Sequence, residues 1–345
     1  MNAVYQNLSR YRSELMGLAI LWVMLFHSYE FHFYVLPLDA FKSIGFAGVD
    51  VFILLSAMGL YVSLTKTPER ESARISRFFL RRFARILPAY WLVVGLYSLW
   101  LILRGRIGWR TALWSLSTLH YWFHISDTFN WYVPAILAFY LLTPFYVRLF
   151  RRCPYKGWLT AVMFPLSYGL YRLSIPLHLN YTEDFICRIP AFALGILMGH
   201  YLMTKQSLTV RHAAAWGSLS LCGAAVTVLR ILNKLYISPC YLIAAQLVPF
   251  TLIAAKVIDL LPFQQLRSPL RLLGSCSLEI YLLNVIVTRE FAVLSPYLDY
   301  DPRHAFYYLI VYSGNLLLGV WLHKVIEHLL PRPDALHICV SNRKS

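Results

Sequence analysis

The chain has 345 residues, of which 59% are hydrophobic, 16% aromatic and only 14% charged. A soluble domain carries roughly 25% charged residues, so the composition excludes a water-soluble fold and points to an all-α, polytopic membrane bundle. The 32 Lys and Arg against 16 Asp and Glu give a formal charge of +16. No basic run is interleaved with stacking aromatics outside the apolar segments, so this excess reads as cationic cytoplasmic loops, with no nucleic-acid partner.

The first expected span runs from about Leu15 to Phe33. It carries no charge from Leu15 to Phe26, and then His27 appears. No small-residue cleavage site follows its apolar core, so it is expected to stay in place as a signal anchor. His27 lies 12 residues beyond Leu15, ~18 Å up a helix, towards the outer face. An ionisable ring there is a functional-site candidate. The alternative is an interfacial aromatic belt shared with Tyr29 and Tyr34.

The second span, about Phe46 to Leu64, carries Asp50 near its outer start. Antiparallel packing would bring Asp50 to the depth of His27, where a carboxylate fixes the tautomer of a general base. Capping the helix entry is the other use of an aspartate there. Ser56 lies deeper in the same span, where serines also bond across helices.

Ahead of the third span, Ile86 to Leu103, stands RISRFFLRRFARILPAYW. Its Arg74, Arg77, Arg81, Arg82 and Arg85 recur at helical spacing, mostly on one face. Pro88 then interrupts the helix. Arginine forks suit phosphate and pyrophosphate, and equally the headgroups of lipids.

Trp114 to Phe123 is apolar but about half the ~20 residues a crossing needs, so a re-entrant or interfacial segment is expected. Further spans follow at about Tyr132–Phe150, Gly157–Ile175, Phe185–Met203, Ala213–Leu232, Tyr241–Leu261, Leu272–Val293 and Ala305–Leu329. Trp131 and Tyr132 offer aromatic platforms for a sugar ring, or belong to the interface belt. Arg188 faces Glu183 and Asp184 and would pair with them or orient a substrate. Asn284, with Glu279 below it, is a mid-span polar group that requires a partner in the bundle.

Charge asymmetry sets the topology. With ten spans and both termini cytoplasmic, Arg10, Arg12, Lys66, Arg70 and the Arg74–Arg85 run lie inside. So do Arg148, Arg151, Arg152, Lys156, Lys205, Arg211, Arg267, Arg271, Arg332, Arg343 and Lys344. Glu183 and Asp184 fall outside, and Arg104, Arg106 and Arg110 form the one discordant loop. Cys153, Cys187, Cys222, Cys240, Cys276 and Cys339 show no paired spacing, so neither a disulfide framework nor a metal site is expected. With no internal repeat, residues 1–345 form a single domain.

Several stretches together resemble the acyltransferase-3 family, bacterial integral-membrane O-acyltransferases of cell-surface glycans. They are ELMGLAILWVMLFH ending at His27, GVDVFILLSAMG from Gly48, RRFARILPAYW from Arg81 and WYVPAILAFYLLTP from Trp131. RIPAFALGILMG from Arg188, LGSCSLEIYLLN from Leu273 and a C-terminal KVIEHLLP complete the set. The resemblance runs nearly end to end and in order.

It implies a plasma-membrane enzyme that moves an acyl group, usually acetyl, from cytoplasmic acyl-CoA to a hydroxyl of a glycan or lipid-linked glycan. His27 matches the catalytic histidine, Asp50 and Ser56 the second-span motif, and Arg81, Arg82 and Arg85 the arginine motif that meets the CoA phosphates. Trp131, Tyr132, Arg188 and Asn284 fall on the acceptor side of this reading. Met16 replaces an arginine expected on the histidine's helix, with Arg12 one turn away and roughly 60° off line. Ala57 replaces a glycine, Asn284 a histidine, and Ala135–Ala138 carries no carboxylate. These departures leave two other readings open: a flippase of lipid-linked glycan, and an inactive member of a glycan assembly complex.

Overall fold

The computed structural model describes residues 4–28, 31–65, 71–125, 130–232, 237–260, 264–294 and 304–329. Tyr29, Lys66, Arg70, Arg332, Cys339, Arg343 and Lys344 lie outside them. Among the described residues the structure is helical and has no strand. In chain order the helices are α1 (Val4–Arg10), α2 (Arg12–Phe26), α3 (Leu36–Ser43), α4 (Ala47–Thr65) and α5 (Glu71–Leu103). Next come α6 (Trp109–Leu116), α7 (Tyr132–Arg152), α8 (Lys156–Ser174), α9 (Glu183–Ile186) and α10 (Ile189–Met203). The last are α11 (Val210–Ile231), α12 (Pro239–Leu260), α13 (Gln264–Ser275), α14 (Ser277–Leu294) and α15 (His304–Leu329).

Each segment expected to span the membrane contains a helix among the described residues, though the first is helical only to Phe26. Among the described residues seven helices are long and apolar enough to cross, and a pair, Arg267–Ser275 with Ser277–Val287, bent by 73°, is either a broken eighth span or a re-entrant loop. The segment expected at Leu272–Val293 is therefore broken and not straight. The two remaining expected spans, α2 and α8, fall outside that set.

α2 stops at Phe26 and not at Phe33. His27 caps its C-terminus, its ring bonded to the Val23 carbonyl, and Ser28 Oγ donates to Leu25 O at 2.6 Å. These side chains satisfy last-turn carbonyls that would otherwise be orphaned. The chain then returns through α3, which Trp22 pins by stacking on Phe41 at 4.8 Å and donating to its carbonyl.

α4 is the axis. It is apolar on all sides, and such a helix belongs in the middle of a bundle. Within its apolar stretch 78% is buried, against 6% for α11 at the periphery. α4 packs against α2, α7, α10 and α12. Backbones approach closely where side chains are missing: Gly17 of α2 lies on the Leu270 carbonyl of α13, and Gly274 of α13 lies on that of Ser13. Apolar burial alone does not hold helices together in lipid, and small residues supply the packing instead.

Trp114–Phe123 does not form a crossing helix. α6 ends at Leu116, and turns continue to His124. Tyr90 and Trp91 of α5 donate to the carbonyls of Ser115 and Leu116 and hold the segment against that helix. The discordant basic loop finds local compensation. Arg106 lies 3.5 Å from Glu290, which also accepts from Tyr97 at 2.7 Å, while Arg104 and Arg110 sit over Trp100 and Trp109.

Candidate active site

Two cavities open at opposite ends of α2. The first, ≈ 400 Å³, is lined by His27, Trp131, Glu183, Asp184, Arg188, Cys240 and Tyr281, with Val23, Phe26, Phe46 and Val49 as apolar walls. His27 is half-buried, with Nδ1 at 2.8 Å from Val23 O. A carbonyl can only accept, so Nδ1 carries a proton, and in the neutral ring the lone pair is on Nε2. That tautomer is the one a general base needs at Nε2.

The expected orienting partner is elsewhere. Asp50 is fully buried, and neither of its carboxylate oxygens accepts a hydrogen bond. It lies 3.6 Å from Arg188 Nε as an ion pair. The backbone of His27's own helix, and not Asp50, holds the ring. Arg188 is fixed on three sides. Its Nη1 donates to Asp184 Oδ1 at 2.9 Å and to Asp184 O at 2.8 Å, and its guanidinium stacks 4.4 Å over Trp131. The expected Arg188–Asp184 pairing is thus present, and Arg188 occupies one face of the ring expected to receive a sugar.

The second cavity, ≈ 70 Å³, is lined by Arg12, Met16, Phe52, Ser56, Arg82, Arg85, Ile86, Tyr132, Tyr140, Ser277, Leu278 and Tyr281. Three arginines from two helices converge there. Arg12 Nε donates to Leu55 O at 3.2 Å, and its guanidinium lies against Gly59. Arg12 therefore reaches the same space as Met16, the position where an arginine is expected. Ser56 lies among the arginines and not beside His27. Arg81 is exposed and is not part of this lining. Trp131 and Tyr132, adjacent in sequence, face different cavities.

Tyr281 lines both cavities. It is buried, and its ring meets Tyr132 edge-on at 5.1 Å. Nothing in the sequence separates it from a packing aromatic, and only the two linings single it out. Asn284, expected on the acceptor side, lines neither cavity. It accepts from Asn315 Nδ2 at 3.5 Å, in the contact between α14 and α15. Glu279 pairs with His323 at 2.9 Å in the same contact. Among the described residues no group of three or more His, Cys, Asp or Glu side chains is arranged to hold a metal ion.

A cationic cavity and a second cavity with an oriented imidazole thus share one aromatic wall, Tyr281. The sequence matches the model of the acyltransferase-3 family, described as an acyltransferase domain, over residues 15–324. No curated protein and no solved structure matches the chain. The match takes in the histidine, the histidine cavity, the arginine cavity apart from Arg12, and all but the ends of the bundle, and the chain belongs to the acyltransferase-3 family of membrane acyltransferases.

Proposed function

We propose that the protein transfers an acyl group, acetyl in the first instance, from cytoplasmic acyl-CoA to a hydroxyl of a cell-surface glycan or its lipid-linked precursor, in the bacterial plasma membrane. The observation that carries this reading is Tyr281, which stands in the walls of the arginine cavity and the histidine cavity alike. A thioester held by its phosphates at Arg12, Arg82 and Arg85 then has a route past one ring to His27.

The chemistry follows from the tautomer. Nε2 of His27 accepts the proton of the sugar hydroxyl as its oxygen attacks the thioester carbonyl. The tetrahedral intermediate collapses with loss of the CoA thiolate, which takes that proton back from the imidazolium. Ester and free thiol are the products. The apolar walls Val23, Phe26, Phe46 and Val49 keep water from competing for the acyl group. Arg188, held by Asp50 and Asp184, presents a fixed positive charge to the acceptor side.

The test is transfer of labelled acetyl from acetyl-CoA to surface glycan in membranes holding wild type or His27→Ala. Loss on the order of a hundredfold or more is expected for the variant. Absence of transfer by wild type, or its survival in the variant, overturns the reading.

A further inference from the structure

A third cavity lies at the Arg74 end of α5, away from both others. It measures ≈ 380 Å³ and is lined by Arg74, Arg148, Arg151 and Arg152, with Leu64, Ile75, Pro144 and Val147 as an apolar floor. Three helices supply these residues: α4, α5 and α7. No acidic side chain belongs to the lining among the described residues. The Nε of Arg74 is buried with no hydrogen-bond partner.

The guanidiniums of Arg74, Arg151 and Arg152 around one cleft repel one another, and the buried unpartnered Nε of Arg74 adds a desolvation cost. An anion with several acceptor oxygens relieves both. Phosphate monoester oxygens match the arginine fork, and the apolar floor suits the non-ionic body attached to them.

Position narrows the choice. Arg74, Arg81 and Arg85 fall within about 20° of one line along α5, and Arg74 stands ~16 Å from Arg85 along the axis. Arg85 lines the arginine cavity, Arg74 lines this cleft, and Arg81 lies between them. A ligand with a monoester at one end and a diphosphate in its middle would lie along that stripe, its thioester arm pointing into the arginine cavity.

We infer that the cleft formed by Arg74, Arg148, Arg151 and Arg152 is a phosphate-monoester site and receives the 3′-phosphate of the acyl-CoA donor. The identity of the occupant rests on the function proposed above; the monoester chemistry rests on the cleft. The second source of such a phosphate is a lipid with a monoester headgroup.

The full-length protein in phosphatidylcholine nanodiscs is titrated with acetyl-CoA and with acetyl-3′-dephospho-CoA, as wild type, Arg74→Gln and Arg151→Gln/Arg152→Gln. Wild type is expected to prefer acetyl-CoA on the order of tenfold to a hundredfold. In both variants the preference falls towards one, while affinity for the dephospho compound holds. A preference that survives both variants overturns the inference. A parallel arm measures retention of phosphatidic acid against phosphatidylcholine by native mass spectrometry. Retention lost in the variants, with no wild-type preference between the two CoA compounds, moves the occupant to lipid and overturns the donor assignment. Absence of both effects overturns the site itself. If wild type binds neither CoA compound, the donor reading of the enzyme fails, and the lipid arm alone decides the cleft.

Discussion

Asp50 of α4 and Arg188, which precedes α10, form a buried ion pair at 3.6 Å, and Arg188 alone of the two lines the histidine cavity. In the proposed mechanism Asp50 would therefore act through Arg188. Removing one member of a buried pair leaves an uncompensated charge, at a cost of about 3–5 kcal/mol. Arg188→Met, which strands the buried Asp50, is expected to lower thermal stability in detergent sharply, whereas after Asp50→Leu the guanidinium still has Asp184. Asp50→Leu combined with Arg188→Met should recover much of that stability, yet leave transfer low, because the fixed charge of the acceptor side is gone. Full activity in the double variant would assign the pair to folding alone.

Arg12 and Met16 meet in one cavity although only Arg12 is charged. If Arg12 supplies the positive charge expected one turn further along α2, Arg12→Gln weakens the acyl donor on the order of tenfold or more, as loss of a charged hydrogen bond would. Moving the guanidinium, as Arg12→Gln with Met16→Arg, should restore part of the affinity. Donor binding to the purified protein measures this without any acceptor. An Arg12→Gln protein that binds acetyl-CoA as wild type does would show that Arg82 and Arg85 suffice.

Tyr281 lines both cavities, so with the donor in the arginine cavity as proposed, its ring stands before His27 and limits what passes. Tyr281→Ala is expected to shift the ratio of butyryl to acetyl transfer upwards by about tenfold or more, since each methylene in a fitted pocket counts for that much. Tyr281→Phe keeps the ring and should keep the wild-type ratio. If Phe also changes the ratio, the hydroxyl and not the ring sets the chain length.

The sequence made some of this site legible and hid the rest for physical reasons. His27 could be found because an ionisable ring at the end of an uncharged run stands out, and its tautomer could not, because that depends on a carbonyl four residues back. Asp50 stood out equally, but its partner did not. Depth along antiparallel helices fits His27 and Arg188 alike, and only packing around α4 chooses Arg188. The length of the first helix was overread, since Phe31, Phe33 and Tyr34 continue the apolar composition after His27 and Ser28 have capped the helix. Tyr281 was invisible because an aromatic residue in an apolar run serves packing and function with the same letters. Asn284 followed the family pattern into the acceptor side, whereas α14 turns it towards Asn315.

The close crossing of α2 and α13 sets the position of Arg12 and Met16, and it depends on hydrogen in place of Cβ at Gly17. A methyl there would run into the backbone carbonyl of Leu270, which cannot rotate away as a side chain can. Gly17→Ala must therefore separate the two helices, an overpacking expected to cost about 1–3 kcal/mol or more. A glycine in the open is the internal control. At Gly157 in α8 an added Cβ meets nothing within 4 Å, so Gly157→Ala should leave stability unchanged or raise it slightly. Thermal unfolding in detergent compares the two, and acetyl-CoA binding adds the functional readout. Gly17→Ala is expected to lose donor affinity at temperatures where it is still folded, because the arginine cavity opens along the displaced α2. Equal stability and equal donor affinity in the two alanine variants would show that the crossing yields without disturbing the cavity.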